Sequence, residues 1–122
     1  MKKLFYHPGN ASMAPHMVLE EIGRPFKLVL VDRAQRAHKS AEYLRLNPNG
    51  LIPVLTDGDL VLYETAAICL HLADTHPENR LAPELGSPAR ERPLIGAYLQ
   101  RMLERPAIQR AFRTEGLGQP LV

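Results

Sequence analysis

Two hydroxyl residues, Ser12 and Thr65, stand where an apolar stretch gives way to a helical pattern. A hydroxyl at a helix start supplies a hydrogen-bond donor beside the orphan N–H groups and partial positive charge of the helix end. That combination stabilises an anion, whether a deprotonated thiol or a carboxylate. Both residues are also ordinary helix caps by type, and the two readings stand together. Lys39 is a cation suited to a carboxylate, or equally a solvated surface lysine. His7, His16, His71 and His76 have no metal-ligand spacing with cysteine or acidic partners, and His71 and His76 read as helix-surface residues. Cys69 is the single cysteine; it lies in an apolar helical stretch and reads as a small core residue.

These residues sit in a chain of 122 residues, which predicts one compact domain with at most a short appendage. A hydrophobic fraction of 45% with 23% charged residues suits a globular protein and excludes a disordered or fibrous one. The formal charge of +2, with its basic residues scattered, argues against a dedicated nucleic-acid binder. One cysteine allows no internal disulfide and favours a reducing compartment. The start, Met1-Lys2-Lys3-Leu4-Phe5-Tyr6-His7-Pro8, lacks the sustained apolar stretch of a signal peptide, and no run is long enough to span a bilayer. The expectation is a cytoplasmic protein with no membrane partner.

The elements follow from hydrophobic pattern and punctuation. Leu4–Tyr6 reads as a buried strand stopped by His7-Pro8-Gly9-Asn10, and Ser12 opens a helix that Gly23 ends. Phe26–Val31 is a second strand, and Ser40 caps a short helix through Leu46. After the turn cluster Asn47-Pro48-Asn49-Gly50, the strands Leu51–Leu55 and Leu60–Tyr63 form a hairpin around Asp57-Gly58. Thr65 caps a long helix ending near His76, with Ile68, Leu70, Leu72 and Ala73 apolar. The order β-α-β-α-β-β-α needs a right-handed parallel crossover followed by an antiparallel hairpin. This predicts an α/β, thioredoxin-like domain with a four-stranded mixed sheet over residues 1–77. A Pro- and Gly-rich linker is expected over 78–88, then a short all-α segment over 89–122. In that segment, Ile95–Glu104 and Ala107–Glu115 are helical in pattern.

Three stretches in order carry a family resemblance. Asn47-Pro48-Asn49-Gly50-Leu51-Ile52-Pro53-Val54-Leu55, then Asp57-Gly58-Asp59-Leu60, then Tyr63-Glu64-Thr65-Ala66-Ala67-Ile68 are similar to the glutathione transferase signature. Ser12-Met13-Ala14-Pro15-His16 resembles the first helix of bacterial members, and His38-Lys39-Ser40 the second-helix entry of serine-type classes such as theta. Tyr98 to Leu117 resembles the closing helices of these transferases. The helices that separate that tail from the linker in the family have almost no counterpart, and near Arg92-Pro93-Leu94 the start of the helical part meets its end.

The resemblance implies an enzyme that binds glutathione, activates its thiol, and directs it at an electrophilic small molecule, with no cofactor beyond glutathione as co-substrate. It implies Ser12 as the catalytic residue, lowering the thiol pKa from ~8.5 towards 7, a change of about 2 kcal/mol. Bacterial beta-class relatives carry a cysteine where Ala11 stands, so the serine type is favoured; Tyr6 lies where some classes use a tyrosine, and reads as strand packing. Thr65 and its backbone N–H would hold the γ-glutamyl carboxylate, with Glu64 near the ammonium. Pro53 would follow a cis bond that turns the Ile52 backbone towards the cysteinyl backbone. His38 and Lys39 would reach the glycyl carboxylate. A homodimer is the family habit, and the unpartnered face of the third helix also favours self-association. The alternative function is a glutathione-binding or protein-interaction module without turnover. A glutaredoxin or thioredoxin ranks last, because His7 to Ala14 holds no cysteine.

Overall fold

The computed structural model describes residues 1–81 and 104–117. Four strands, β1 (Lys2–Tyr6), β2 (Phe26–Leu30), β3 (Val54–Asp57) and β4 (Leu60–Tyr63), form one sheet in the order β2-β1-β3-β4. β1 runs parallel to β2, with Leu4 opposite Leu28, and β3 is antiparallel to both β1 and β4. The helices are α1 (Met13–Ile22), α2 (Ala41–Leu46), α3 (Thr65–Thr75) and α4 (Pro106–Thr114), with single 3₁₀ turns at Ala37–Lys39 and Pro77–Asn79. The expected mixed sheet and element order are therefore present.

Side chains alternate across the sheet and so divide the core in two. Leu4 and Leu55 face α1 and α3, where they cluster with Leu19, Ile68 and Leu72. Their strand neighbours Phe5 and Val54 face the other way and pack with Tyr43, Val31 and Leu46 around α2. The first layer holds α1 and α3 on one face of the sheet, and the contact between their openings builds the candidate site.

Several boundaries differ from the pattern reading, each for a local reason. The ladder of β3 begins at Val54, not Leu51, because Pro53 carries no N–H and its peptide bond to Ile52 is cis. Leu70, expected on the apolar face of α3, is 62% exposed, and Cys69 is only partly buried. Of α3, the layer encloses Ile68 and Leu72, four residues apart on one stripe, while Leu70 falls outside it. The start of the expected linker is ordered: Asn79 Nδ2 donates to the Glu21 carbonyl at 3.2 Å. The rest of that linker, and the helix expected over 95–104 except its last residue, lie outside the described residues. The tail helix appears as α4, where Pro106 occupies the first turn, which tolerates a missing N–H.

Candidate functional site

Ser12 sits at the opening of α1 and is fully buried. Its backbone is already helical and its side chain makes no cap hydrogen bond. The capping role expected of it passes to Asn10, whose Oδ1 accepts from Ser12 N at 2.8 Å and whose carbonyl accepts from Met13 N at 3.0 Å. The Ser12 hydroxyl accepts from His7 N at 3.2 Å. It faces two acceptors, Asn10 Oδ1 at 2.6 Å and the His7 carbonyl at 3.1 Å. One hydroxyl has one proton, and the shorter distance gives it to Asn10. The loop from His7 to Ser12 is thus closed on itself.

The opening of α3 touches this loop. Thr65 Oγ1 donates to the Ala11 carbonyl at 3.4 Å, a long bond that nevertheless places the two helix starts side by side. The first helical bond of α3 runs from Ile68 N to the Glu64 carbonyl at 3.0 Å, so the earlier N–H groups have no partner within the helix. Glu64 itself has φ 75° and ψ 118°, a conformation that costs a non-glycine residue about 1–3 kcal/mol. Strain of that kind persists only where the surroundings enforce it, and here it falls at an exposed acidic residue beside the helix opening.

The proline loop is braced from behind. The Leu51 carbonyl accepts from both Tyr43 Oη at 2.8 Å and Asn47 Nδ2 at 3.0 Å. Asn47 is 1% exposed, and burial pushes the Tyr43 phenol up to about 12. Ile52 and Pro53 follow at once, with the cis bond between them.

His38 and Lys39 occupy the 3₁₀ turn alongside. Lys39 Nζ donates to the carbonyls of Gly50 at 3.1 Å and Asn49 at 3.3 Å. Neither reading of Lys39, ligand cation or free surface lysine, included this tie to the turn. Gly50 has φ 60°, and a Cβ there would come within 2.8 Å of Lys39 Nζ and 2.9 Å of the His38 carbonyl. Both the backbone angle and the lack of room require glycine. His38 Nδ1 is enclosed without a partner among the described residues. Its own desolvation, then the cations of Lys39, Arg33 and Arg36, hold its imidazole below the usual range. The structure therefore brings Ser12 and Thr65 together at two helix openings, and His38 and Lys39 together at the turn that leads into Ile52 and Pro53.

Residues 2–74 match the family model for the glutathione S-transferase N-terminal domain. The chain belongs to this family. Glutathione S-transferase GstA of Escherichia coli O157:H7 is 40% identical over 90 residues, covering 72% of this chain and 45% of that protein. The crystal structure of a glutathione transferase from Methylococcus capsulatus aligns with a TM-score of 0.76 at 25% identity, over 95% of this chain and 99% of that one. A sphingomonad glutathione S-transferase complexed with glutathione aligns at 0.75 and 26% identity, over 95% and 100% of the two chains. The chain spans less than half the length of the curated relatives it matches first.

Within this glutathione S-transferase frame, pattern reading passed over Asn10, Glu115 and His16. Glu115, just beyond α4, is enclosed: its Oε1 accepts from His16 Nδ1 at 2.7 Å and its Oε2 from Gly9 N at 3.0 Å. His16 is fully buried between the rings of Tyr6 and Phe26, with centroids 6.3 and 5.9 Å away. Its Nε2 is 3.6 Å from Glu20, beyond hydrogen-bond reach. The end of the described chain therefore holds the loop that carries Asn10 and Ser12. A buried histidine on an apolar helix was the available signal, but its partner lies 99 positions away.

Proposed function

We propose that this chain binds glutathione where the openings of α1 and α3 meet, and that it presents the tripeptide's thiolate to an electrophilic small molecule. The observation that carries the reading is the Thr65–Ala11 contact, which sets two helix starts beside each other inside the matched residues 2–74. Glutathione brings two carboxylates, an ammonium and a thiol. The first N–H groups of α3, without a partner within the helix, suit the γ-glutamyl carboxylate together with Thr65, and exposed Glu64 suits the ammonium. The backbone of Ile52, next to the cis bond to Pro53, suits the cysteinyl amide. His38 offers a ring N–H to the glycyl carboxylate, and Lys39 holds the turn while adding positive potential. Ser12 organises the loop against which the thiolate rests, at the positive end of α1.

Calorimetry with glutathione tests binding, and turnover with an aryl halide tests chemistry, on wild type and on Ser12→Ala and Thr65→Ala. The expected result is weakened binding in Thr65→Ala, and lost turnover with binding retained in Ser12→Ala. Failure of the wild type to bind glutathione sinks the proposal. A second reading, binding without turnover, draws on the small share of the curated relatives that the chain spans; glutathione affinity with no turnover on any aryl halide selects it. We also place this protein in the cytoplasm, as a homodimer that associates through the exposed side chains of β4 and α3, namely Val61, Tyr63 and Leu70.

A further inference from the structure

We propose that Asn10 is the residue that touches the glutathione sulfur, its side-chain amide donating an N–H···S hydrogen bond to the thiolate. This rests on the binding reading above and names the donor that the reading leaves open. The orientation of the amide is fixed by chemistry. Ser12 N–H can only donate, so the Asn10 atom 2.8 Å from it is the oxygen. The Ser12 hydroxyl, 2.6 Å away, gives its proton to the same oxygen. Both contacts lie on Oδ1, which leaves Nδ2 at the other corner of the amide with two N–H donors and no partner among the described residues.

Neither neighbour can take this role as directly. Ser12 is 0% exposed, and its one proton is directed into the loop, so a sulfur reaches it only if the loop opens. Ala11 is exposed but has no side-chain donor, and its carbonyl faces Thr65. Asn10 is partly exposed on the same loop, beside the opening of α1. By hydrogen-bonding to Oδ1, Ser12 polarises the amide and makes its N–H groups better donors. Ser12 is then a positioning residue that acts through Asn10, and the contact with the reacting atom is made by the amide.

The experiment titrates the thiol of bound glutathione by its thiolate absorbance in wild type, Asn10→Ala and Asn10→Asp. S-methylglutathione, which has no thiol proton, reports whether the rest of the site is intact. Asn10→Asp keeps the oxygen that Ser12 needs but lacks the donor. Both variants are expected to raise the pKa of the bound thiol by about one unit, a tenfold loss of thiolate below that pKa, while binding S-methylglutathione as wild type does. The shift in Asn10→Asp is expected to persist in ~1 M salt, where a remote charge is screened and a contact is not. If Asn10→Ala fails to bind S-methylglutathione, the salt-resistant shift in Asn10→Asp decides. An unchanged thiol pKa in Asn10→Asp, or a shift that vanishes in salt, overturns the proposal. Wild type that binds no glutathione overturns the underlying function instead, so the two failures are distinct.

Discussion

Glu115 accepts from the fully buried His16 ring and from the N–H of exposed Gly9, and its removal strands the ring. A stranded buried group costs about 1–3 kcal/mol. Glu115→Ala is therefore expected to lower unfolding free energy by about 2 kcal/mol in urea titrations. Glu115→Gln, which still offers an oxygen, should lose clearly less. Such residues were the least legible part of the sequence. Thr65 and the Ile52–Pro53 pair announced themselves through short, ordered motifs. The inward turn of the Ser12 hydroxyl did not, because it depends on which atom of Asn10 faces the loop. Nor did Glu115, because hydrogen bonding between distant segments leaves no periodicity.

α4 shows which contacts between elements matter for stability. Its inward positions Ala107, Ile108 and Ala111 are buried against the rest of the fold, while Arg105, just before its first turn, and Arg110 on its outer side reach Glu21 and Glu20 of α1. The arginines are about half exposed, and solvent screening holds such pairs to about 0–1 kcal/mol. Truncating a buried isoleucine costs about 2–5 kcal/mol. Ile108→Ala should consequently lower the denaturation midpoint far more than Arg110→Ala. The ion pairs leave a different mark, in pH. The Arg105 hydrogen bond, offset by burial and reinforced by the charges of Arg105 and Arg110, holds the Glu21 carboxyl below its ordinary value of 4.5. Below that value the unfolded chain binds the proton more readily, so this stabilisation is present above pH 4.5 and is lost as pH falls through the folded pKa. Stability curves of Glu21→Gln should be flatter on this acid side than those of wild type. Element types were legible from alternation and punctuation. The start of β3 and the exposed side of α3 were not, because they depend on one proline and on which stripe the sheet covers.

At the scale of the whole molecule, the strip of β4 and α3 with Val61, Tyr63 and Leu70 exposed is where the proposed second copy would sit. Leu70→Glu should shift the protein towards monomer in light scattering, while glutathione affinity stays unchanged; an unaltered mass would place any association elsewhere. The overall plan was legible because the signature from Asn47 to Ile68 spans the proline loop, the hairpin and the start of α3 in one stretch. The acceptor for Gly9 adds an ordering in time. During synthesis the sheet strands and α3 are all made before residue 115. The nascent chain can assemble its layers early, yet the loop bearing Asn10 and Ser12 waits for Glu115 before it is locked. Order in that loop is thus gated by a residue made 106 positions after Gly9.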